Sequence, residues 1–435
     1  MLTKDHILYL LGDVLEIDCN SVSIEISEDE KIIVDFGNFI YQETVFDFDS
    51  PTLLDEDFEI LDTIFFEITK NKKNDSILKN LYKNIPTTNI PFLKLCHYFV
   101  NEHYLGKPNK IDEHKRVISE SVYRDVIKYL SYPMVDILID TFHYHYLHEE
   151  KQNGTVYFTS DFDYINLWKY LGIFKTLWRF FKHIIFYRRQ ILIEEFWSYL
   201  LSKKYLRRNF MLNNAMFLFQ DKIGETLHIK NIAFLLVHKS HKKFDFENDF
   251  SILPFKEYLF TNINQVSFGL HPSYNTRYNP ETLNEQIETF EQAVMERPRF
   301  SRFHYLNCSF PDDLLPLEER RIKQDFSFYF CDKLLFRGAI TRPFKQWSYT
   351  ANRVVNVEIH PLSIMDVTLS KTLEMKYDEA LTTAKEKVRL SLLLGRNCVL
   401  LWHNNEMYEP LYKKNYHRKL LIALRNYLDE LESIR

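Results

Sequence analysis

Glycine is scarce in this chain: 435 residues hold 9 Gly, where average usage of roughly 7% would supply about 30. None are spaced as GxGxxG or GxxxxGK[ST], which excludes the glycine-rich phosphate cradles of dinucleotide- and nucleotide-binding folds. Cysteine is thin as well. Cys19, Cys96, Cys308, Cys331 and Cys398 are odd in number, scattered and without a CxxC pair, so neither a disulfide framework nor a thiolate zinc site follows. A reducing cytoplasm is the expected compartment. Positive charge is not in excess either: 55 Lys+Arg stand against 60 Asp+Glu, a formal charge of −5, which speaks against a nucleic-acid partner. No stretch reaches the roughly 20 uncharged apolar residues of a membrane span. The opening MLTKDHILYLLGDVL is interrupted by charge too early to read as a signal peptide.

What is present is ample apolar material, 46% of residues, enough for more than one core and incompatible with general disorder. Charge is unevenly distributed. Residues 1–68 carry 18 acidic residues against Lys4 and Lys31, whereas residues 164–212 carry 10 Lys/Arg against Glu194 and Glu195. The acidic part alternates in Ser21-Val-Ser-Ile-Glu-Ile and Lys31-Ile-Ile-Val-Asp-Phe, then turns helical around Phe92 to Tyr104 and Pro133 to Leu147. Residues 1–150 are therefore expected to form an α+β domain, ending at the polar run Glu149-Glu-Lys-Gln-Asn-Gly154.

Residues 151–435 repeat strand, loop and helix. The expected strands are Val156 to Thr159, Ile232 to Val237, Val266 to Leu270, Phe326 to Phe330, Val354 to Ile359 and Val399 to Trp402. Helices are expected over Glu281 to Arg297, over a face of Tyr377, Ala380, Leu381, Ala384 and Val388, and over Tyr416 to Leu431. Apolar strands alternating with helices predict a parallel sheet covered by helices, here closed as a (β/α) barrel. The polar residues fall where such barrels place their chemistry, after strand ends: Asp161 and Asp163, His271, and His403. Two carboxylates with two separate histidines suffice for a metal hydrolase.

In order along the chain these pieces resemble the polysaccharide deacetylase family, the NodB-type carbohydrate esterases, and within it members with an extra N-terminal domain. Thr159-Ser-Asp-Phe-Asp-Tyr164, Gly269-Leu-His-Pro-Ser-Tyr-Asn-Thr276, Ser301-Arg-Phe-His-Tyr-Leu306 and Leu400-Leu-Trp-His-Asn-Asn405 are similar to its motifs. Phe336-Arg-Gly-Ala-Ile-Thr-Arg-Pro343 and Ile364-Met-Asp-Val-Thr-Leu369 add to the likeness. The resemblance implies an irregular (β/α) barrel holding a divalent metal ion, zinc first and Co²⁺ or Ni²⁺ as alternatives. It implies Asp163, His271 and Asn275 as ligands, Asp161 as base, Arg302 as the residue orienting that base, and His403 as general acid. Tyr164, Tyr274, His304, Arg337 and Trp402 would contact substrate. Asn275 stands where many relatives carry a second histidine, and an amide oxygen is a poorer zinc ligand than imidazole; water, His304 or His241 are its substitutes.

Plainer readings compete at each position. Asp161 and Asp163 also suit a helix N-cap, and His271 a turn beside Pro272. His143, His145 and His148 look like a metal tract, but residues two apart on a helix point about 200° apart, so a solvated helix end is expected; His238 and His241 read as loop. Trp168, Phe174, Trp178, Phe181 and Phe186 interleave with Lys175, Arg179, Lys182, Arg188 and Arg189. That run is either an amphipathic helix or a surface for an anionic, lipid-linked saccharide or the inner membrane face. The function expected is metal-dependent N-deacetylation of an acetamido sugar in cell-surface polysaccharide synthesis. The alternative is a catalytically silent, sugar-binding barrel that lost its ligand set at Asn275.

Overall fold

The computed structural model describes residues 2–37, 39–87, 89–107, 109–150, 154–163, 228–246, 248, 266–404, 406 and 416–432. The acidic part opens with α1 (Lys4–Tyr9), followed by β1 (Ser23–Ile26), β2 (Lys31–Asp35) and β3 (Ile40–Thr44) in an antiparallel sheet of order β1-β2-β3. Alternation along β2 buries Ile32 and Val34 and exposes Lys31 and Asp35, the period-2 signature of a half-buried strand. Helices α2 (Asp55–Lys70), α3 (Asp75–Lys79), α4 (Phe92–Val100) and α5 (Met134–Phe142) follow. Three acidic residues open α2 at its positive end, and Asp57 accepts the Leu54 amide at 2.7 Å. Every residue of α5 is buried, Asp136 and Asp140 included, so both carboxylates need partners inside the protein.

The larger sheet is built from β4 (Thr155–Phe162), β5 (His228–Leu235), β6 (Ser267–Leu270), β7 (Phe300–Ser301) and β8 (Gln324–Asp325). After a small hairpin of β9 (Trp347–Ser348) and β10 (Arg353–Val354) come β11 (Glu358–Ile359), β12 (Ile364–Met365) and β13 (Asn397–His403). Spatial order is β11-β8-β7-β6-β5-β4-β13-β12, with every pairing parallel. The two marginal strands are successive pieces of one segment: His360 N–H donates to Asp325 O on one side, and Ser363 N–H donates to Val399 O on the other. The sheet therefore curls into a parallel half-barrel whose two margins are joined through Glu358–Met365, consistent with a (β/α) barrel. Helices α6 (Thr282–Val294), α7 (Leu315–Glu319), α8 (Tyr377–Leu393) and α9 (Tyr416–Glu432) accompany it.

Strand parity sorts the side chains. Tyr157, Ile232, Phe234, Phe326, Val399 and Leu401 form an inner cluster. Val156, Phe158, Ala233, Leu235, Cys398, Leu400 and Trp402 belong to an outer cluster that runs without a break from Leu2 to Leu431. The acidic part thus shares its core with the barrel. Buried ion pairs cross the same boundary: Arg342 meets Asp136 at 2.8 Å and Asp140 at 2.7 Å, and Arg396 meets Asp140 at 3.0 Å.

Most expected elements are present with boundaries shifted by a few residues. The Phe326 to Phe330 strand is not: β8 stops at Asp325, and the five residues after it are buried without joining a ladder. Nor is Val354 to Ile359 one strand: Val354 ends the β9–β10 hairpin, and Glu358–Ile359 joins the large sheet beside β8. No helix among the described residues is long and apolar enough to cross a membrane.

Candidate metal centre

β4 and β13 run in parallel with His403 opposite Asp161. On both strands the odd-numbered residues face the barrel interior, as Tyr157, Val399 and Leu401 do, so parity delivers Asp161 and His403 to one mouth of the barrel. Asp163 lies just beyond the end of β4, and His271 just beyond β6. Close passage of β6 requires Gly269, where a Cβ would sit 2.6 Å from the Phe234 ring. Phe234 in turn stacks on the Arg302 guanidinium at 4.4 Å.

Arg302 is fully buried. Its Nη1 donates to Asp161 Oδ1 at 2.8 Å and its Nε to Phe326 O at 3.0 Å, which fixes the carboxylate's orientation. The other Asp161 oxygen lies 3.7 Å from His271 Nε2 and 4.0 Å from His403 Nε2. His403 is held from behind, with Nδ1 on Asp366 Oδ1 at 2.7 Å and its amide donating to Asp366 Oδ2 at 2.8 Å. Burial alone would lower the His403 pKa, but the Asp366, Asp163 and Asp161 carboxylates outweigh it and raise the imidazole to about 10. Burial would raise Asp163, yet the facing His271 and the charges of His304 and His403 hold that acid below its ordinary range. His271 is driven upward in spite of its burial by Asp161 and Asp163.

Asp163, His271 and His304 converge, their ligand atoms all within 4.8 Å of one another and all three residues buried. Asp163 Oδ1 is 3.5 Å from His271 Nε2 and 3.4 Å from His304 Nε2. Neither Asp163 Oδ1 nor His271 Nε2 has a hydrogen-bond partner among the described residues. Buried polar atoms left in this way call for an explanation, and one carboxylate with two imidazoles is a donor set suited to a divalent transition metal. The back of each ring is engaged, His271 Nδ1 with Arg302 O and His304 Nδ1 with Asp245 Oδ1 at 2.8 Å, as metal-bound histidines require. Asp245 is itself fixed by the amides of Ser240, His241 and Tyr274.

His304 reaches the centre through an unusual turn. The two residues after it, Tyr305 and Leu306, have φ of 61° and 54°, a left-handed conformation costing on the order of 1–3 kcal/mol for each such side chain.

Several residues expected at the site lie elsewhere. Asn275 is tied to Ser240, its amide nitrogen donating to Ser240 O at 2.9 Å, and His304 stands at the third position of the cluster instead. Arg337 is engaged from 2.6 Å by Glu102 and surrounded by Phe310, Phe328 and Phe330, so it joins the acidic part to the barrel. Trp402 has the opposite parity to His403 and is wholly buried in the outer cluster. Tyr274 is buried beside the centre, its hydroxyl 3.1 Å from His114 Nδ1. Tyr164 and the cationic run lie outside the described residues. The helix end at His143 is not solvated as expected: His143 is buried, bound to Glu149 and Leu15 O; His241 lies in the loop after β5 and stacks on Phe244. Asp245 and Asp366 were not anticipated; Asp366 sits in the Ile364 to Leu369 motif, whereas nothing in the spacing around Asp245 marks it.

No protein-family model matches the chain, and no curated protein does. Among solved structures it is similar to a chain described as "putative polysaccharide deacetylase from Mycobacterium smegmatis", with 13% identity and a TM-score of 0.35 over 65% of this chain and 85% of that one.

Proposed function

We propose that the protein is a metal-dependent hydrolase that removes the N-acetyl group of an acetamido sugar used in cell-surface polysaccharide synthesis. The observation that carries this reading is the buried Asp163, His271 and His304 cluster, flanked by an Arg-held carboxylate and an Asp-held imidazole. A divalent ion, Zn²⁺ first with Co²⁺ or Ni²⁺ as alternatives, would be held by those three side chains and would supply a Lewis acid that polarises the acetyl carbonyl and acidifies water. Asp161, oriented by Arg302, takes the proton of the attacking water. His403, protonated through Asp366, gives a proton to the departing amine, so that the C–N bond breaks to acetate and a free amino sugar. The silent-barrel alternative rested on a ligand lost at Asn275; with His304 in the cluster, no observation favours it.

Acetate release from N-acetylated oligosaccharides and nucleotide sugars, with and without a chelator, tests the proposal. Purified protein that carries no metal and takes up none of Zn²⁺, Co²⁺ or Ni²⁺ would refute it. The cationic segment from Trp168 to Arg189, within the Lys- and Arg-rich 164–212 stretch, is proposed to meet an anionic, lipid-linked form of the substrate or the inner membrane face. Flotation with anionic vesicles, before and after neutralising Arg179, Lys182, Arg188 and Arg189, decides that part.

A further inference from the structure

Part of the support for His304 comes from a loop far earlier in the chain, 189 positions before the residue it contacts. The Asp112–Ser119 loop of the acidic part lies against the barrel mouth. It is organised by Asp112, which accepts the amides of His114 at 2.9 Å and Arg116 at 3.0 Å and grips the Arg116 guanidinium at Nε from 2.7 Å and at Nη2 from 2.6 Å. The loop is pinned at both sides: Asp332 takes the Ser119 amide at 3.0 Å, and Arg277 donates to Lys115 O at 2.9 Å. From this frame Arg116 Nη1 donates to the carbonyl of Tyr305 at 2.8 Å. Tyr305 is the residue immediately after His304 and the first of the two left-handed residues, and the His114 ring packs on the Tyr305 ring at 4.5 Å.

We infer that Arg116 is a positioning residue for the metal centre: it holds the left-handed Tyr305 turn and so keeps the His304 imidazole aimed at Asp163. The inference rests on the metal-centre reading above. A turn of this kind persists only where its surroundings over-determine it, and the Arg116 bond to Tyr305 is a charge-assisted one that pairs a fixed guanidinium with the strained peptide. The acidic part thereby acts on the barrel's chemistry without touching substrate.

Titration of the full-length apoprotein with Zn²⁺ and Co²⁺, with the visible spectrum of the Co²⁺ form, tests this. Loss of an outer support to a metal ligand typically lowers affinity about 10- to 100-fold. Arg116→Met is therefore expected to weaken both metals at least about tenfold and to shift the Co²⁺ bands, whereas a purely structural loss would lower stability and leave the bands in place. In a Tyr305→Gly background, where the left-handed turn carries no side-chain penalty, Arg116→Met is expected to cost much less. Should Arg116→Met fail to fold, Asp112→Asn, which loosens the guanidinium without removing it, is read by the same two measurements. Wild-type affinity and spectrum in the Arg116 or Asp112 variant would overturn the inference, as would an equal loss in both Tyr305 backgrounds. Absence of metal binding by the wild type would instead overturn the hydrolase reading on which it stands.

Discussion

At the scale of single residues, the contrast between His304 and Asn275 is the most discriminating. His304→Ala removes one of the three buried side chains of the candidate cluster and is expected to abolish stoichiometric zinc uptake, whereas Asn275→Ala, which loses a bond to Ser240, is expected to retain it; metal analysis of dialysed protein compares them. Asp161→Asn keeps shape and the Arg302 contact while losing basicity. It should bind metal normally and release acetate on the order of 10²-fold more slowly, and a wild-type rate would remove Asp161 from the mechanism. Asp161, Asp163, His271 and His403 were legible because each follows an apolar strand. His304 was legible only as one of three substitutes for Asn275, beside water and His241: β7 is two residues long, and a left-handed turn, which leaves no hydrophobic period, does the aiming. Trp402 was misassigned by proximity to His403, since adjacent strand residues face opposite sides. Arg337 was misassigned because its partner, Glu102, lies 235 positions away, beyond anything local spacing encodes.

At the scale of elements, α4 begins on a buried acid. Glu43 of β3 accepts the amides of Leu93 and Lys94 at 3.0 and 2.9 Å and the Tyr41 hydroxyl, satisfying donors that the first turn of a helix leaves open. Burial drives its pKa from 4.5 to about 7, against the lowering effect of those bonds. The folded state then binds a proton that the unfolded chain has already released. The Glu43 contribution is complete below about pH 4.5 and is lost as pH rises through about 7, at a slope of up to about 1.4 kcal/mol per pH unit. Urea unfolding of wild type and Glu43→Gln across this window is expected to show the steeper decline in the wild type; parallel curves would contradict it. The elements themselves were largely readable, because β4, β5, β13 and α8 have strong periodicity. Phe326 to Phe330 was not, since a buried apolar run looks the same whether or not it joins a ladder.

At the scale of the whole molecule, the continuous outer core and the Arg342 and Arg396 pairs make the acidic part and the barrel one cooperative unit. Thermal unfolding followed by far-UV circular dichroism and by tryptophan fluorescence is expected to give one coincident transition, and two separated transitions would refute this. Arg342→Met leaves Asp136 without its guanidinium and weakens the hold on Asp140, a change expected to cost about 3–5 kcal/mol, measured by denaturant midpoint. Composition suggests a boundary near residue 150; the core shared across it was not legible, because it is assembled from contacts hundreds of residues apart. The segment Glu358–Met365, which bonds both margins of the large sheet, has a consequence for behaviour in crowded solution. An open strand edge is a template on which a foreign chain can polymerise, and here the large sheet presents none of its long strands in that way, with Phe344 bridging the outer side of Ile359. Among the described residues, the longest strand edges left open to self-association are the outer edges of β1 and β3, so fibrillar deposits grown from the folded protein are expected to be seeded by residues 23–44 before the large sheet.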